Sequence, residues 1–442
     1  MKFQDVKQCQ EYIEKQSQKG RLIMIVSGRL GREIVPSIHK LRQVISIYVY
    51  CMDKKSNEQW ARNFAKVKAV IVEVNELISR IETDHRMQKI VEEPLSINIF
   101  TTNTNTNAGT STIGASIMGV NGQFVFSQVL IDCLQRLESN KKDKEELIHL
   151  CKQEYKEEDV ELRYIDEFKN SYSSDQVLWW YTRQSFFYKT LNAALRKQDI
   201  HFIFLFRAII SDMRCQLKNN QAKDPLQVYR GQMMSSDELK TLKQCLDQFI
   251  SVNSFFSTSM DKQRALAFLN SSNAADNLEP VLFEIDADPT MATTKPFADI
   301  SPFSQFPREA EILFMLGCIF RLKSIYRSGD SQVWIIQMVL CSDNEHQLKY
   351  VLVNMKEQIG SGKTDLRTLG RLLSRMSKFD LAEKYMIRLL EQLPLNHPLL
   401  YDLYQDLGEF ASQAGNFDKC MEWHRKAIAL KQQLELAGKQ SY

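Results

Sequence analysis

The feature that most constrains the fold of this chain is a run of small polar residues in its first third. Residues 101–116 read TTNTNTNAGTSTIGAS, in which Ile113 is the one large apolar side chain. Because such a run cannot bury enough apolar surface to offset the entropy of an ordered chain, it predicts a polar flexible linker, which we place at residues 86–123. An O-glycosylated stalk is the alternative interpretation and would require a secreted protein. The 442 residues are therefore expected to fold as separate domains on the two sides of this linker.

The residues before the linker alternate between short apolar runs and helical patterns. The apolar runs are rich in β-branched residues and cover Arg21–Gly28, Ile45–Cys51 and Ala69–Val74. Continuous apolar strands separated by helices are typical of a parallel sheet that is covered on both faces. Residues 1–85 are therefore predicted to form a small parallel α/β domain.

The residues after the linker change from helical patterns to strand patterns. Phe124–Glu138 and Val177–Arg196 have the helical spacing of apolar and aromatic side chains, whereas the apolar runs from about Gln227 onward are short and strand-like. Helices followed by mostly antiparallel strands favour an α+β domain, which we predict at residues 124–345.

Two similar helical units follow this domain. The segment LGRLLSRMSKFDLAEKYM starts at Leu369, and LGEFASQAGNFDKCMEWH starts 38 residues later at Leu407. Gly370 and Gly408 allow the paired helices of each unit to approach closely. The pattern resembles the tetratricopeptide repeat, which implies two all-α repeats at residues 355–435 and a peptide or protein partner. A plain helical cap on the preceding domain is the alternative.

Composition excludes several classes of protein. The chain has 57 basic and 54 acidic residues, a balance that predicts neither a nucleic-acid nor a membrane partner. Nine scattered cysteines without a CxxC pair, and a first segment without an apolar signal core, favour a reduced cytoplasmic protein. Seven histidines without ligand spacing predict that no metal is bound.

Three short segments of the middle domain carry residues that are suited to chemistry. They are Val228-Tyr229-Arg230-Gly231, Phe255-Phe256-Ser257-Thr258-Ser259 and Glu309-Ala310-Glu311. Taken singly, each has an ordinary explanation as a surface arginine, a helix cap or a solvated strand face. Side chains two apart on a strand share a face, so Glu309 and Glu311 would form a pair of carboxylates.

Together, the order and spacing of these segments resemble the R-S-E class of arginine-specific mono-ADP-ribosyltransferases. The resemblance covers about residues 150–345 and includes a helical lead-in at Trp180-Tyr181-Thr182. The segment Ile300–Pro307, with the sequence ISPFSQFP, resembles the substrate-recognition turn of that family. The whole chain resembles multidomain members that join a small α/β domain, an α+β ADP-ribosyltransferase domain and tetratricopeptide repeats.

The resemblance implies NAD as the co-substrate, with NADP left open as an alternative donor. Arg230 has the planar charged fork that suits phosphate oxygens. The resemblance implies that the backbone of Gly231 contacts the nicotinamide amide and that Ser257 and Glu311 also contribute to cofactor binding. Phe268 is a candidate aromatic wall of the nicotinamide pocket, with a packed core position on its helix as the alternative.

The resemblance also implies the roles of the catalytic residues, which are Arg230, Ser257, Glu309 and Glu311. Cleavage of the glycosidic bond of NAD builds positive charge on the ribose, which a carboxylate stabilises. The resemblance assigns this carboxylate to Glu311, its orientation to Ser257, and contact with the incoming guanidinium to Glu309. In the family that the chain resembles, a glutamate at the position of Glu309 goes with arginine as the acceptor residue, so the resemblance implies arginine, on an acceptor protein that the sequence leaves open.

Two other functions remain compatible with these residues. An NAD glycohydrolase would use the same site with water as the acceptor. An inactive transferase would serve as a binding scaffold through its repeats, although the four intact site residues argue against it.

Overall fold

The structure is a computed structural model. The described residues are 1–15, 22–41, 43–64, 66–101, 120–269, 278–305, 307, 310–329, 333–343, 345–360 and 362–439. Within these ranges, every helix is too short or too polar to cross a membrane.

The N-terminal part contains the predicted parallel sheet, which has three strands among the described residues. Their order is β1 (Leu22–Ser27), β2 (Val44–Tyr50) and β3 (Val67–Ile71). The helices described beside these strands are α1 (Val6–Lys15), α2 (Gly28–Ile38), α3 (Lys54–Ala61) and α4 (Val74–Glu92). Six of the seven residues of β2 are buried, because α1 and α2 pack on one face of the sheet and α4 packs on the other. This burial explains why the central strand is apolar at nearly every position.

The predicted linker is wrong at both of its ends. Helix α4 continues to Glu92, and Ile97–Phe100 form strand β4, which pairs antiparallel with β6 (Phe249–Val252) in a second, larger sheet. Helix α5 (Val120–Arg136) begins before the linker was expected to end. The polar middle of the prediction, residues 102–119, lies outside the described residues. The tetrapeptide INIF was overlooked because four residues suffice for this pairing, whereas its surroundings are polar.

Among the described residues, the larger sheet has nine strands, of which all but β4 lie within the predicted α+β domain at residues 124–345. Its other strands are β5 (Leu226–Ser235), β7 (Phe256–Ser259), β8 (Leu278–Ala287), β9 (Phe297–Asp299), β10 (Glu311–Phe314), β11 (Cys318–Arg327) and β12 (Trp334–Cys341). The order is β4-β6-β11-β12-β8-β5-β7-β10-β9. Neighbouring strands are antiparallel except β12 and β8, which run parallel.

Helices form a layer against this sheet. They are α5, α6 (Lys141–Glu154), α7 (Asp159–Ser171), α8 (Val177–Thr182), α9 (Phe186–Lys197) and α10 (Ile200–Asn219), with α11 (Ser236–Lys243) and α12 (Lys262–Leu269) inserted between strands. Buried aromatic side chains of the helical layer, such as Trp180, Phe187 and Phe206, share one hydrophobic core with Phe256 and Phe314 of the sheet. The layer thus fixes the strands that carry the candidate site.

In the described part of the C-terminal region there are five helices: α13 (His346–Gln358), α14 (Leu366–Arg375), α15 (Phe379–Leu390), α16 (Leu400–Gln413) and α17 (Phe417–Lys439). Helices α14 and α15 pair with each other, as do α16 and α17. A Cβ on Gly370 would lie 3.0 Å from Met386, and one on Gly408 would lie 2.9 Å from the His424 ring. Both glycines therefore stand at the close helix contacts that were expected, while assignment to the tetratricopeptide family remains a prediction.

The C-terminal helices are joined to the α+β domain by buried polar contacts. Arg388 of α15 forms an ion pair with Asp143, which is fully buried and also pairs with Arg207. A second ion pair joins Arg388 to Glu146 at 2.6 Å. The hydroxyl of Thr364 donates to the Cys133 carbonyl over 2.7 Å. The helical region therefore shares a core with the domain that precedes it.

Candidate active site

Arg230, Ser257 and Glu311, one from each of the three segments that were singled out in the sequence, lie on adjacent strands near the β9 edge of the larger sheet. Strand β7 lies between β5 and β10, so Ser257 stands between Arg230 and Glu311. All three residues are buried: Ser257 is 9% exposed, Arg230 is 7% exposed and Glu311 is 3% exposed. Burial of this many polar groups requires that each be hydrogen-bonded.

Glu311 is held by the strand pairing and by two hydroxyl groups. It lies opposite Ser259 in the antiparallel register, which places Ser257 as its diagonal neighbour on the same face. The Ser257 hydroxyl donates to Glu311 Oε1 over 2.5 Å. The backbone N–H of Glu311 donates to Ser301 Oγ over 3.0 Å. The carboxylate therefore has a fixed position at the start of β10.

Arg230 is held on two sides. Its Nη1 donates to the Ser257 carbonyl over 3.0 Å, and its Nε and Nη2 donate to Gln232 Oε1 over 3.2 and 2.9 Å. The guanidinium carbon lies 5.2 Å from the centre of the Phe256 ring. Burial lowers the pKa of Arg230, whereas Tyr188, Tyr181, Glu93 and Glu311 oppose that change, and a guanidinium stays charged in proteins.

The sequence did not reveal the support behind Arg230. Gln232 is 1% exposed, and its Nε2 donates to the Glu93 carbonyl over 2.7 Å. The side chain of Glu93 in turn forms an ion pair with Arg196 of α9 at 2.6 Å. Strand alternation does place Gln232 on the face of Arg230, which is the one signal that could have identified it. Nothing local connects either residue with Glu93, which is 139 positions away from Gln232.

Gly231 lies against α12. A Cβ at this position would stand 2.6 Å from the Ala265 carbonyl oxygen and 3.0 Å from Leu269 Cγ. The glycine is thus required for close packing of β5 on that helix. Its contact with nicotinamide remains a prediction.

Two of the predicted site residues cannot be placed. Glu309 lies outside the described residues, and so does the side chain of Phe268, whose backbone belongs to α12. Their predicted roles therefore stay predictions.

The arrangement suits a reaction that involves an anion and a developing cation. A fixed guanidinium binds phosphate oxygens, because its planar donors match their geometry. A preoriented carboxylate in a water-poor site stabilises positive charge that develops in a transition state. Arg230 and Glu311 offer these two groups on strands separated only by β7.

Comparison with known proteins places a family domain over this site. Residues 141–346 match the model of the family described as ADP-ribosyltransferase exoenzyme. No curated protein sequence matches the chain.

Solved structures with similarity to the chain include three ADP-ribosyltransferases. An ADP-ribosyltransferase from Clostridium botulinum is 12% identical, with 44% of this chain and 96% of that chain covered and a TM-score of 0.29. The ADP-ribosyltransferase HopU1 from Pseudomonas syringae pv. Tomato is 15% identical, with 46% of this chain and 99% of that chain covered and a TM-score of 0.32. Vis toxin from Vibrio splendidus is 19% identical, with 48% of this chain and 91% of that chain covered and a TM-score of 0.29.

These overall similarities are low, and the assignment follows from the family match. That match supports ADP-ribosyl transfer from NAD as the reaction class of the domain. Residues 141–346, which are 206 of the 442 residues, are therefore similar to the ADP-ribosyltransferase exoenzyme family.

Proposed function

We propose that the chain transfers ADP-ribose from NAD to an arginine side chain of an acceptor protein and releases nicotinamide. The observation that carries this proposal is the buried hydrogen bond between Ser257 of β7 and Glu311 of β10, 2.5 Å long, with β7 directly beside the strand of Arg230. Together these three residues supply the phosphate fork, the orienting hydroxyl and the carboxylate that this reaction requires.

The proposed steps follow from the residue types. Arg230 binds the pyrophosphate of NAD. The bond between nicotinamide and ribose breaks, and its electron pair leaves with nicotinamide. Glu311 stabilises the positive charge on the ribose, and Ser257 keeps the carboxylate in place. A guanidinium nitrogen of the acceptor then attacks the ribose and loses a proton, for which Glu309 is the proposed base.

Arginine as the acceptor is tested with agmatine, a small molecule that carries a guanidinium group. The purified chain is incubated with NAD, with and without agmatine, and both nicotinamide and the products are measured by mass spectrometry. ADP-ribosylated agmatine supports the proposal. Nicotinamide release without labelled agmatine points to an NAD glycohydrolase, and NAD binding without release points to an inactive transferase.

Two variants separate the roles of the carboxylates. Glu311→Gln keeps the size of the side chain but removes its charge, so we expect kcat for both agmatine transfer and NAD hydrolysis to fall by about 10²–10³-fold. Glu309→Gln is expected to abolish transfer and to spare hydrolysis. Thermal melting of both variants checks that the fold persists, and an unchanged rate of NAD turnover in Glu311→Gln would show that the site is assigned wrongly.

A further inference from the structure

A cavity separate from the candidate active site lies beside the turn that leads to Glu311. Its volume is about 440 Å³, within the range of sites that bind small ligands. The walls come from the end of α7, the 3₁₀ turn Ser174–Gln176, the start of α8 and the 3₁₀ turn Ser301–Phe303. The residues that matter here are Glu167, Asp175, Trp179, Trp180 and Phe303, and we call their cavity the acidic aromatic pocket.

The lining of this pocket suits a cation. Asp175 is exposed and makes no hydrogen bond or ion pair within the described part of the chain, and Glu167 is 43% exposed. Three aromatic side chains stand beside these carboxylates, and an aromatic face attracts cations. Neither Lys nor Arg lines the pocket among the described residues.

A guanidinium of the chain itself already uses part of the same wall. The guanidinium carbon of Arg183 lies 4.8 Å from the centre of the Trp179 ring and 5.2 Å from that of Trp180. Its Nη1 forms an ion pair with Glu167 at 2.8 Å. Glu167 and the rings of Trp179 and Trp180 thus already hold one planar cation, the Arg183 guanidinium. The carboxylate of Asp175 is left to pair with a second cation.

Trp180 points to a polypeptide as the ligand. This side chain is 1% exposed, and its indole N–H is buried without an acceptor in the described part of the chain. An unsatisfied donor of this kind costs free energy, and a carbonyl oxygen of a ligand recovers it only if the buried indole turns toward the cavity that it lines. A peptide offers both a cationic side chain and carbonyl oxygens, whereas a simple amine offers only the cation.

The pocket is joined to the candidate active site by the turn that carries Phe303. At the start of this turn, Ser301 Oγ accepts the backbone N–H of Glu311 over 3.0 Å. Just after it, the N–H of Gln305 donates to Thr182 Oγ1 over 3.0 Å, which fixes the turn on the end of α8. A polypeptide seated at the pocket therefore lies next to the segment that positions Glu311.

We propose that the acidic aromatic pocket binds a second arginine side chain of the acceptor polypeptide, separate from the arginine that is modified. This inference rests on the proposed function and names a feature of its substrate, which is a polypeptide with at least two arginines. Arginine is favoured over lysine because its planar group stacks on an indole while it pairs with a carboxylate.

The test compares acceptor peptides with one and two arginines. The parent peptide has eleven residues of Gly and Ser around a single arginine, and its relatives carry a second arginine, or a lysine, at each other position. We expect the best two-arginine peptide to show a five- to tenfold higher kcat/KM, above the twofold that an extra acceptor alone provides. Mass spectrometry identifies the arginine that is modified.

Variants of the pocket decide whether it causes this preference. Asp175→Asn and Trp179→Leu are expected to remove most of the advantage while kcat and KM for agmatine stay unchanged. Asp166→Asn is the matched control, because Asp166 lies on the same helix as Glu167 but pairs with Lys152 at 2.6 Å, outside the pocket. Equal kcat/KM for all peptides, an equal advantage from lysine, or a full advantage in Asp175→Asn would overturn the proposal.

A binding measurement separates this proposal from the proposed function. If neither agmatine nor any peptide is modified, the proposed function fails. Calorimetric titration of the full chain with the two-arginine peptide then still tests the pocket. The proposal for the pocket is supported if the two-arginine peptide binds more tightly than the one-arginine peptide, and if this difference is lost in Asp175→Asn but kept in Asp166→Asn. Equal binding of the two peptides overturns the proposal.

Discussion

Arg230 is positioned by a neighbour that carries no charge. Gln232 accepts two of its N–H groups and is itself held by the Glu93 carbonyl. Gln232→Leu would remove these contacts with little change in volume. Since hydrogen bonds to charged groups contribute about 1.5–3 kcal/mol, we expect the Kd for NAD to rise by roughly ten- to a hundredfold.

This prediction is checked by titrating NAD and by measuring the KM for agmatine, which we expect to stay constant. A merely structural defect would change both constants. Gln227→Leu is the matched control, because Gln227 lies on the same strand and bonds instead to Asp286 over 3.0 Å. An unaltered Kd for NAD in Gln232→Leu would show that Gln232 does not position Arg230.

At this scale, sequence reasoning singled out three residues that lie together in the structure, Arg230, Ser257 and Glu311, but not what supports them. The pairing of Ser257 with Glu311 was anticipated through the resemblance, and the register of β7 and β10 explains it. The support of Gln232 by Glu93 was missed, because such a contact depends on the tertiary fold and has no local pattern. The predicted place of Glu309 beside Glu311 stays untested, since Glu309 lies outside the described residues.

Among the elements, the segment after β12 is tied to its neighbours by one carboxylate. Asp343 bonds to Lys295, which precedes β9, at 2.5 Å and to Lys356 of α13 at 3.3 Å. Burial alone would raise the pKa of Asp343, but the two lysines and Thr294 outweigh it and lower the pKa to about 2. The ionised form is thus favoured by the fold.

The pH dependence of stability follows from that direction. The unfolded pKa is near 3.8, so the contribution of Asp343, about 2 kcal/mol, is present above pH 4 and is lost as the pH falls toward 2. Asp343→Asn should therefore lower the free energy of unfolding most at neutral pH, and less at pH 2.5. Urea unfolding at several pH values measures this, with the exposed Asp237→Asn as the control. A loss that does not depend on pH would contradict the assignment.

Element prediction succeeded where patterns are long and failed where they are short. The parallel runs of the N-terminal sheet and the change from helices to strands after residue 220 are visible in the sequence, because each spans many residues of one period. Strand β4 has only four residues and is defined by its partner β6, which is about 150 positions away. Such a strand gains its stability from the sheet that it joins, and its own sequence carries little signal.

In the whole molecule, the C-terminal helices are joined to the α+β domain by ion pairs. Arg388→Leu would leave Asp143, which is fully buried, with one described ion pair, to Arg207, and would leave Glu146 without its arginine. Because removal of one partner of a buried pair costs about 3–5 kcal/mol, and one partner remains here, we expect a loss of about 2–3 kcal/mol.

Hydrogen exchange followed by mass spectrometry locates this loss. We expect faster exchange in α14 and α15 of the Arg388→Leu variant, with a smaller change in the large sheet. Lys426→Leu is the control, because Lys426 pairs with Glu422 on the exposed surface of α17. Equal exchange in the two variants would mean that Arg388 does not hold the helices in place. Sequence similarity indicated the helical pairs themselves, but their attachment rests on residues that are more than 240 positions apart.

The pairing of β4 with β6 also determines where a truncated fragment of this protein can begin. A fragment limited to the family match, residues 141–346, would lose β4 and expose the backbone of β6, whose sequence FISV is wholly buried in the full chain. Unpaired apolar strand edges recruit other chains, so such a fragment would tend to aggregate. It would also lack Glu93, and with it the anchor of Gln232. Soluble expression of the domain therefore requires a start upstream of residue 93, well before the boundary that family similarity suggests.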